Sequence, residues 1–293
     1  HSMMHTAKNM HQILSLSNDA YEEIFQEIDT TGLVEKKGII YIWTNKNLRS
    51  RNLEIKVRKE LGIEQKLLSQ KEVLELEPNL QPVFDAGVIY ESAMHARDPH
   101  GILKKIFKLF LERGGKFIQT DIKNLEQINK NETVVRSENE EYKFEKTVIA
   151  SGAFSKLLTD QLGENIPLGK ENFISRPVIF LDRGFGMTPM SQGLRAVGTV
   201  ELGGLKNPPS KKRIDYIIKC AKELLPDLGK HEDEWLGFRP TLPDFLPILG
   251  PSLKNKNIIY AFGHQHLGWT LGAITGKIIS KIVAGEKTNL DLT

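Results

Sequence analysis

Apolar residues along this chain change their period several times, and each change marks an element. Met10, Ile13, Leu14, Leu16, Tyr21, Ile24, Phe25 and Ile28 recur at helical spacing, which predicts one or two helices over 5–28 ending near Gly32. The β-branched and aromatic run 38–43 predicts a strand. Residues 49–61 read as a charged amphipathic helix and 64–68 as a short strand. Ser69 and Glu72 have the spacing of a capping box for a helix over 70–76, stopped by Glu77-Pro78. Residues 86–90 form another strand. Asp98-Pro99 starts a helix over 100–113 with Ile102, Leu103, Ile106, Leu109 and Phe110 on one face, and Gly114-Gly115 ends it.

The second half is richer in strands. Residues 116–119 and 121–125 read as strands, 131–144 as a polar hairpin, and 147–150 as a buried strand running into a turn at Ser151-Gly152. Strands follow over 176–182, 185–189 and 193–202, then a polar loop over 207–212 and a helix over 214–225 closed by Pro226. Pro240, Pro243 and Pro247 forbid a regular helix around Arg239, a permanent cation in an apolar run. A strand over 257–262 then meets Gly263-His264, and helical apolar spacing resumes over 269–284. A strand, a glycine turn and a helix start present free N–H groups and a positive dipole end, a ready anion site.

Composition narrows the classes. A chain of 293 residues with 40% hydrophobic content can bury a real core, as one large domain or two intimate ones. The net charge of +3 is mild and the basic residues are dispersed, which argues against nucleic acid and permits peripheral contact with an anionic membrane surface. A single cysteine, Cys220, excludes an internal disulfide and makes a cytoplasmic-side location the expectation, free or on the inner face of the cytoplasmic membrane. His1-Ser2-Met3 reads as a tag remnant, and no signal-peptide pattern is present. No His/Cys cluster has metal-ligand spacing, so no metal site is expected, and no Gly-x-Ser-x-Gly or Walker-type loop is present.

Three segments, Gly237-Phe-Arg-Pro240, Pro243-Asp-Phe-Leu-Pro-Ile-Leu-Gly250 and Gly263-His-Gln-His-Leu-Gly-Trp-Thr-Leu-Gly272, resemble in order and spacing the C-terminal part of the FAD-dependent D-amino-acid oxidase superfamily. The nearest resemblance is to bacterial D-amino-acid dehydrogenases, and the Gly-His-Gln-His-Leu-Gly form also looks like the branch acting on cyclic D-imino acids. The resemblance implies an α/β (α+β) fold: an incomplete FAD/NAD(P)-binding Rossmann-like domain over 1–34, 86–165 and 252–293, with an inserted antiparallel-sheet substrate domain over 35–85 and 166–251. It implies FAD as cofactor, a D-amino or D-imino acid as substrate, and a quinone or oxygen as electron acceptor.

By the same resemblance Ile122, Ser151 and Gly152 lie along the adenosine and pyrophosphate, and Gly263, His264, Leu267, Gly268 and Thr270 at the flavin. Arg239, His266 and Trp269 line the substrate. No side-chain acid or base is required for the hard step, since the flavin carries it. Each role has a plainer rival. Arg239 could pair with Asp233, Glu234 or Asp244; His266 could bridge loops; Trp269 could be core; Ser151-Gly152 could be a simple turn. Glu201 reads as a paired or solvated carboxylate.

The pattern also departs from the family. Its members begin with a strand, a Gly-x-Gly-x-x-Gly turn and a helix, and residues 1–293 contain no such motif. The stretch 169–173 is also short. A missing central strand leaves an apolar seam unless another chain or segment fills it, with homo- or hetero-oligomers as one outcome. Enzyme activity is therefore left open at this level. The alternatives are a non-catalytic remnant or subunit binding an amino acid or a protein, and a glycine- or sarcosine-oxidase-like enzyme.

Overall fold

The structure is a computed structural model and describes residues 3–45, 48–129, 132–151, 174–191, 193–200, 208–229, 231, 234–242, 244–252 and 256–288. In chain order the elements are α1 (Met3–Leu14), α2 (Ser17–Phe25), β1 (Val34–Glu35), β2 (Ile39–Trp43), α3 (Leu48–Glu60), β3 (Lys66–Ser69), α4 (Gln70–Leu76), β4 (Ala86–Tyr90), β5 (His95–Ala96) and α5 (Pro99–Glu112). Then come β6 (Asn124–Asn129), β7 (Glu132–Arg136), β8 (Glu141–Phe144), β9 (Thr147–Ile149), β10 (Val178–Phe180), β11 (Phe185–Met190), β12 (Gly193–Gly198), α6 (Lys211–Leu224), β13 (Ile248–Pro251), β14 (Ile258–Phe262) and α7 (Gly268–Ala284). The fold is mixed α/β. Among the described residues no helix is long and apolar enough to cross a membrane.

Contacts divide the chain into two compact units. One comprises residues 1–29, 106–162 and 238–293. In it α7 packs its buried Leu271, Ile274 and Ile278 against Ile13 of α1 and Ala20 of α2. The sheet beneath runs β13-β14-β9, with β14 parallel to β9 and antiparallel to β13. A separate antiparallel sheet has the order β6-β7-β8.

The other unit comprises 30–105 and 163–237. Its six-stranded sheet has the order β12-β11-β10-β2-β4-β3 and is antiparallel except at β10–β2. Alternate residues Ile40 and Ile42, Val178 and Phe180, Phe185 and Met187 face a core closed by Cys220, Ala221 and Leu224 of α6. The start of α4 carries the expected box, with Ser69 and Glu72 satisfying each other's backbone N–H groups.

Several sequence expectations change. Residues 116–123 form no strand, and β6 begins only at Asn124. Lys123 N–H donates to Arg136 O at 2.8 Å at the end of β7, but among the described residues no strand pairs with 116–122, and Phe117 is 63% exposed. Among the described residues β9 lies at the edge of its sheet and is partly exposed rather than buried. On the apolar face of α5 Ile102 is buried while Leu103 and Phe110 are exposed, and α3 buries no residue at all. The short β1–β5 ladder and β13 carried too few residues to show a period.

In that β1–β5 ladder His95 stands opposite Glu35. The ring is buried at 8% exposure and neither nitrogen has a hydrogen-bond partner. Burial holds its pKa below the usual value, against the pull of Glu35 and with the help of Arg97 and Lys37. The folded state therefore binds this proton less readily than the unfolded chain. Stability should fall as pH drops below about 6.5 toward the depressed folded value. Urea midpoints measured at about pH 7.5 and about pH 5.5 should draw together in His95→Leu relative to wild type. An equal pH response in both proteins would remove His95 as the cause.

Candidate functional site

The site is built where the segment 238–248 crosses the turn between β14 and α7. After Phe262 the chain reverses at Gly263, whose φ is +89°. A Cβ there would meet Leu242 Cδ1 at 2.7 Å, the tip of a side chain that can turn aside, so it is the angle that calls for glycine. The Gln265 backbone N–H donates to Pro240 O at 3.2 Å, and its side-chain Nε2 donates to Phe245 O at 2.7 Å. Gln265 and Phe245 are both left-handed, with φ of 53° and 63°. Each such residue costs on the order of 1 kcal/mol or more, and strain of this kind collects where geometry is over-determined. The side-chain bond joins these two strained residues directly, and the Gln265 backbone N–H holds the Pro240 carbonyl against the turn.

Arg239 is solvent-exposed, yet loop atoms crowd its guanidinium enough to lower its pKa by desolvation; it stays charged. Among the described residues no carboxylate pairs with it. Glu234 takes His231 at 2.8 Å, and Asp244 Oδ1 accepts from the Leu246 N–H at 3.0 Å. Asp233, the remaining rival partner, lies outside the described residues. His266 sits within electrostatic reach of Arg239. Its pKa is lowered first by desolvation and then by that guanidinium, so the imidazole is neutral at pH 7.

His264 has a different task. Its Nε2 is 2.9 Å from Thr275 Oγ1, tying the turn to the second turn of α7. Burial lowers its pKa too. Leu267, just before α7, packs into the helical core, and Gly268 opens the helix. α7 has no side-chain cap and no acidic residue in its first turn. The backbone N–H groups of Gly268, Trp269 and Thr270 find no acceptor among the described residues. Three free N–H groups at the positive end of a long helix can hold an electron-rich edge, and the Arg239 guanidinium, within electrostatic reach of His266 two residues before that helix, can hold a carboxylate.

The side chains of the other expected residues have these places in the fold. Trp269 leans on α2, its ring 6.0 Å from that of Tyr21, whose hydroxyl donates to the Trp269 carbonyl. Thr270 is exposed in the first turn of α7. Ile122 is half-buried in the irregular stretch before β6, and Ser151 is exposed just past β9. Gly152, Glu201 and residues 169–173 fall outside the described residues. Gln265, Phe245 and Leu242 were missed by sequence reasoning. A left-handed angle at Gln or Phe leaves no compositional trace; the Gly-x₄-Gly frame 263–268 was the available hint.

Residues 1–282 match the family model described as DAO, FAD dependent oxidoreductase. The chain is 27% identical to the D-amino-acid oxidase of Bradyrhizobium diazoefficiens, over 98% of this chain and 72% of that protein. It is 25% identical to a D-amino acid dehydrogenase of Granulibacter bethesdensis, over 97% of this chain and 73% of that protein. Its fold is similar to the glycine oxidase of Geobacillus kaustophilus, with a TM-score of 0.76 and 21% identity, covering 96% of this chain and 80% of that one. It is also similar to the L-proline dehydrogenase of P. horikoshii, with a TM-score of 0.80 and 18% identity over 96% of this chain and 80% of that one.

Proposed function

Since this chain belongs to the DAO family of FAD-dependent oxidoreductases, we propose that it takes part in oxidative deamination of a D-amino acid or a cyclic D-imino acid, with Arg239 holding the substrate carboxylate. FAD, when bound, supplies the acceptor for the hydride leaving the substrate Cα. The remaining steps fall to the protein. The planar fork of Arg239 gives two parallel charge-assisted hydrogen bonds and so fixes the substrate's orientation. His266, neutral and beside that cation, accepts a proton from the substrate ammonium, leaving the amine lone pair that hydride departure needs. The product imine is then hydrolysed by water when the substrate is acyclic.

The residues present fit FAD at one end. The free N–H groups at the start of α7 suit the pyrimidine edge, where negative charge gathers on reduction. For the pyrophosphate, residues 1–293 supply no Gly-x-Gly-x-x-Gly turn. The observation that supports the reading is the crossing of 238–248 over the turn, where Gln265 N–H donates to Pro240 O and the Arg239 charge is felt by His266. The electron acceptor, a quinone or oxygen, follows from the family alone.

Titration with FAD, followed by flavin fluorescence, tests the cofactor; D-alanine, D-proline, glycine and sarcosine with a dye acceptor test the substrate. Flavin binding with preference for a D-amino or D-imino acid over its L enantiomer is expected. Absence of flavin binding, or equal use of both enantiomers, would reject the assignment.

A further inference from the structure

The β11–β12 hairpin of the six-stranded sheet carries different chemistry on its two faces. Phe185, Met187 and Leu194 turn into the core that α6 closes, so the alternate residues Gly186, Thr188, Arg195 and Val197 turn away from it. Thr188 and Arg195 stand directly opposite each other, and both are half-buried. Gly186, diagonal to Arg195, has no side chain, and Ile179 of β10 lies over it: a Cβ at that position would collide with Ile179 Cδ1. Gly193, two residues before Arg195 on the same face, adds no side chain either. The polar pair is thus flanked by bare backbone and an apolar wall.

The charge in this pair is unmatched. Arg51, Arg58, Arg97, Arg176 and Arg183 of the same unit each meet a glutamate. Among the described residues Arg195 meets no carboxylate, and burial lowers its pKa with no partner to offset the loss of water. The Thr188 hydroxyl likewise has no partner among the described residues. The Arg195 nitrogens are not sealed in: the fully buried, unpartnered side-chain nitrogens of this unit belong to Trp43, Arg51, His95 and Arg97. An anion can therefore reach the guanidinium. A carboxylate suits it, because the fork gives one N–H to each oxygen, the hydroxyl opposite gives one more donor, and the charges cancel one to one. A phosphate brings more charge and more oxygens than these donors satisfy.

We propose that Arg195 and Thr188 form a binding site for the carboxylate of a small molecule, on the face of the six-stranded sheet turned away from α6. That carboxylate belongs either to the side chain of an acidic D-amino acid or to a separate small acid; the group recognised is the same. Arg195 takes this role whether or not Arg239 holds the substrate.

Labelling of the full chain with phenylglyoxal, which attacks free guanidinium groups, followed by peptide mass, reads Arg195 by itself. Acetate at about four times its dissociation constant should slow labelling of Arg195 about fivefold, the factor 1 + [L]/Kd, relative to sodium chloride at equal ionic strength. Thr188→Val keeps the shape and loses the hydroxyl; it should raise the acetate concentration needed by about tenfold, with an unchanged melting temperature. Arg239→Ala should leave the protection of Arg195 by acetate at the wild-type level, so a failure of the Arg239 assignment is read separately. Protection by D-glutamate at lower concentration than by acetate assigns the carboxylate to an amino-acid side chain; equal or better protection by acetate or succinate assigns it to a separate acid. Four results would overturn the idea: Arg195 unreactive before any anion is added, chloride as protective as acetate, inorganic phosphate more protective than acetate, or protection indifferent to Thr188→Val.

Discussion

Arg239→Ala should weaken binding of a carboxylate substrate by about 30-fold to several thousand-fold, the equivalent of roughly 2–5 kcal/mol lost when one member of a desolvated charge pair is removed. The size of the loss is itself informative. A guanidinium that stays in water beside its ligand contributes no more than about 1 kcal/mol, or about fivefold. Arg239 is exposed in the structure, so the larger figure requires that the bound ligand and flavin exclude water from it. Arg239→Lys keeps the charge and loses the fork, and should fall between wild type and the alanine variant. Titration calorimetry with D-proline or a non-reacting carboxylate measures all three proteins. A loss smaller than about fivefold for Arg239→Ala would place the carboxylate elsewhere. Loss of flavin fluorescence quenching in the same variant would instead show damage to the turn it is tied to.

The parts of this fold that were legible in the sequence are those whose signal is local. The capping box at Ser69 and Glu72, the glycine stop after α5 and the apolar run of α7 each depend on neighbours within a turn or two, and each forms as its spacing dictates. Residues 116–119 have strand chemistry but no ladder, since a strand is a pairing and not a property of its own residues. The site divides in the same way. Gly263 announced itself by type. Gln265 and Phe245 are held left-handed by a hydrogen bond between segments far apart in sequence, which no single window contains. His264, expected at the flavin, has its ring committed to Thr275, a partner visible only once α7 is folded back on the turn.

Glu77 gives the sharpest case of a structural role that a local reading passes over, and its removal should be the most destabilising single change in the six-stranded unit. Glu77-Pro78 read as a helix stop, yet the Glu77 carboxylate is only 2% exposed. It accepts from the Ser175 N–H at 2.8 Å, the Ser175 hydroxyl at 2.5 Å and Arg176 Nε at 2.9 Å. Arg176 in turn donates from Nη1 to the Lys37 carbonyl at 2.9 Å. One carboxylate thus ties the end of α4 to the residues leading into β10, and through Arg176 to those leading into β2, its parallel neighbour. Glu77→Ala leaves the part-buried Ser175 N–H without its acceptor and the part-buried Arg176 guanidinium without its carboxylate, at a cost of about 3–5 kcal/mol. For a unit of this size that is roughly 6–20 °C in melting temperature. Glu77→Gln keeps the shape but turns an NH₂ toward donors, so it should recover little. Replacing both charges, in Glu77→Leu with Arg176→Met, removes the unpaired partner and should regain much of the loss. Urea unfolding of the three variants beside the wild type decides the matter: a cost below about 1 kcal/mol for Glu77→Ala, or a double variant no more stable than the single, would show that the clamp is dispensable and that packing around Phe84 and Phe180 alone holds these strands together.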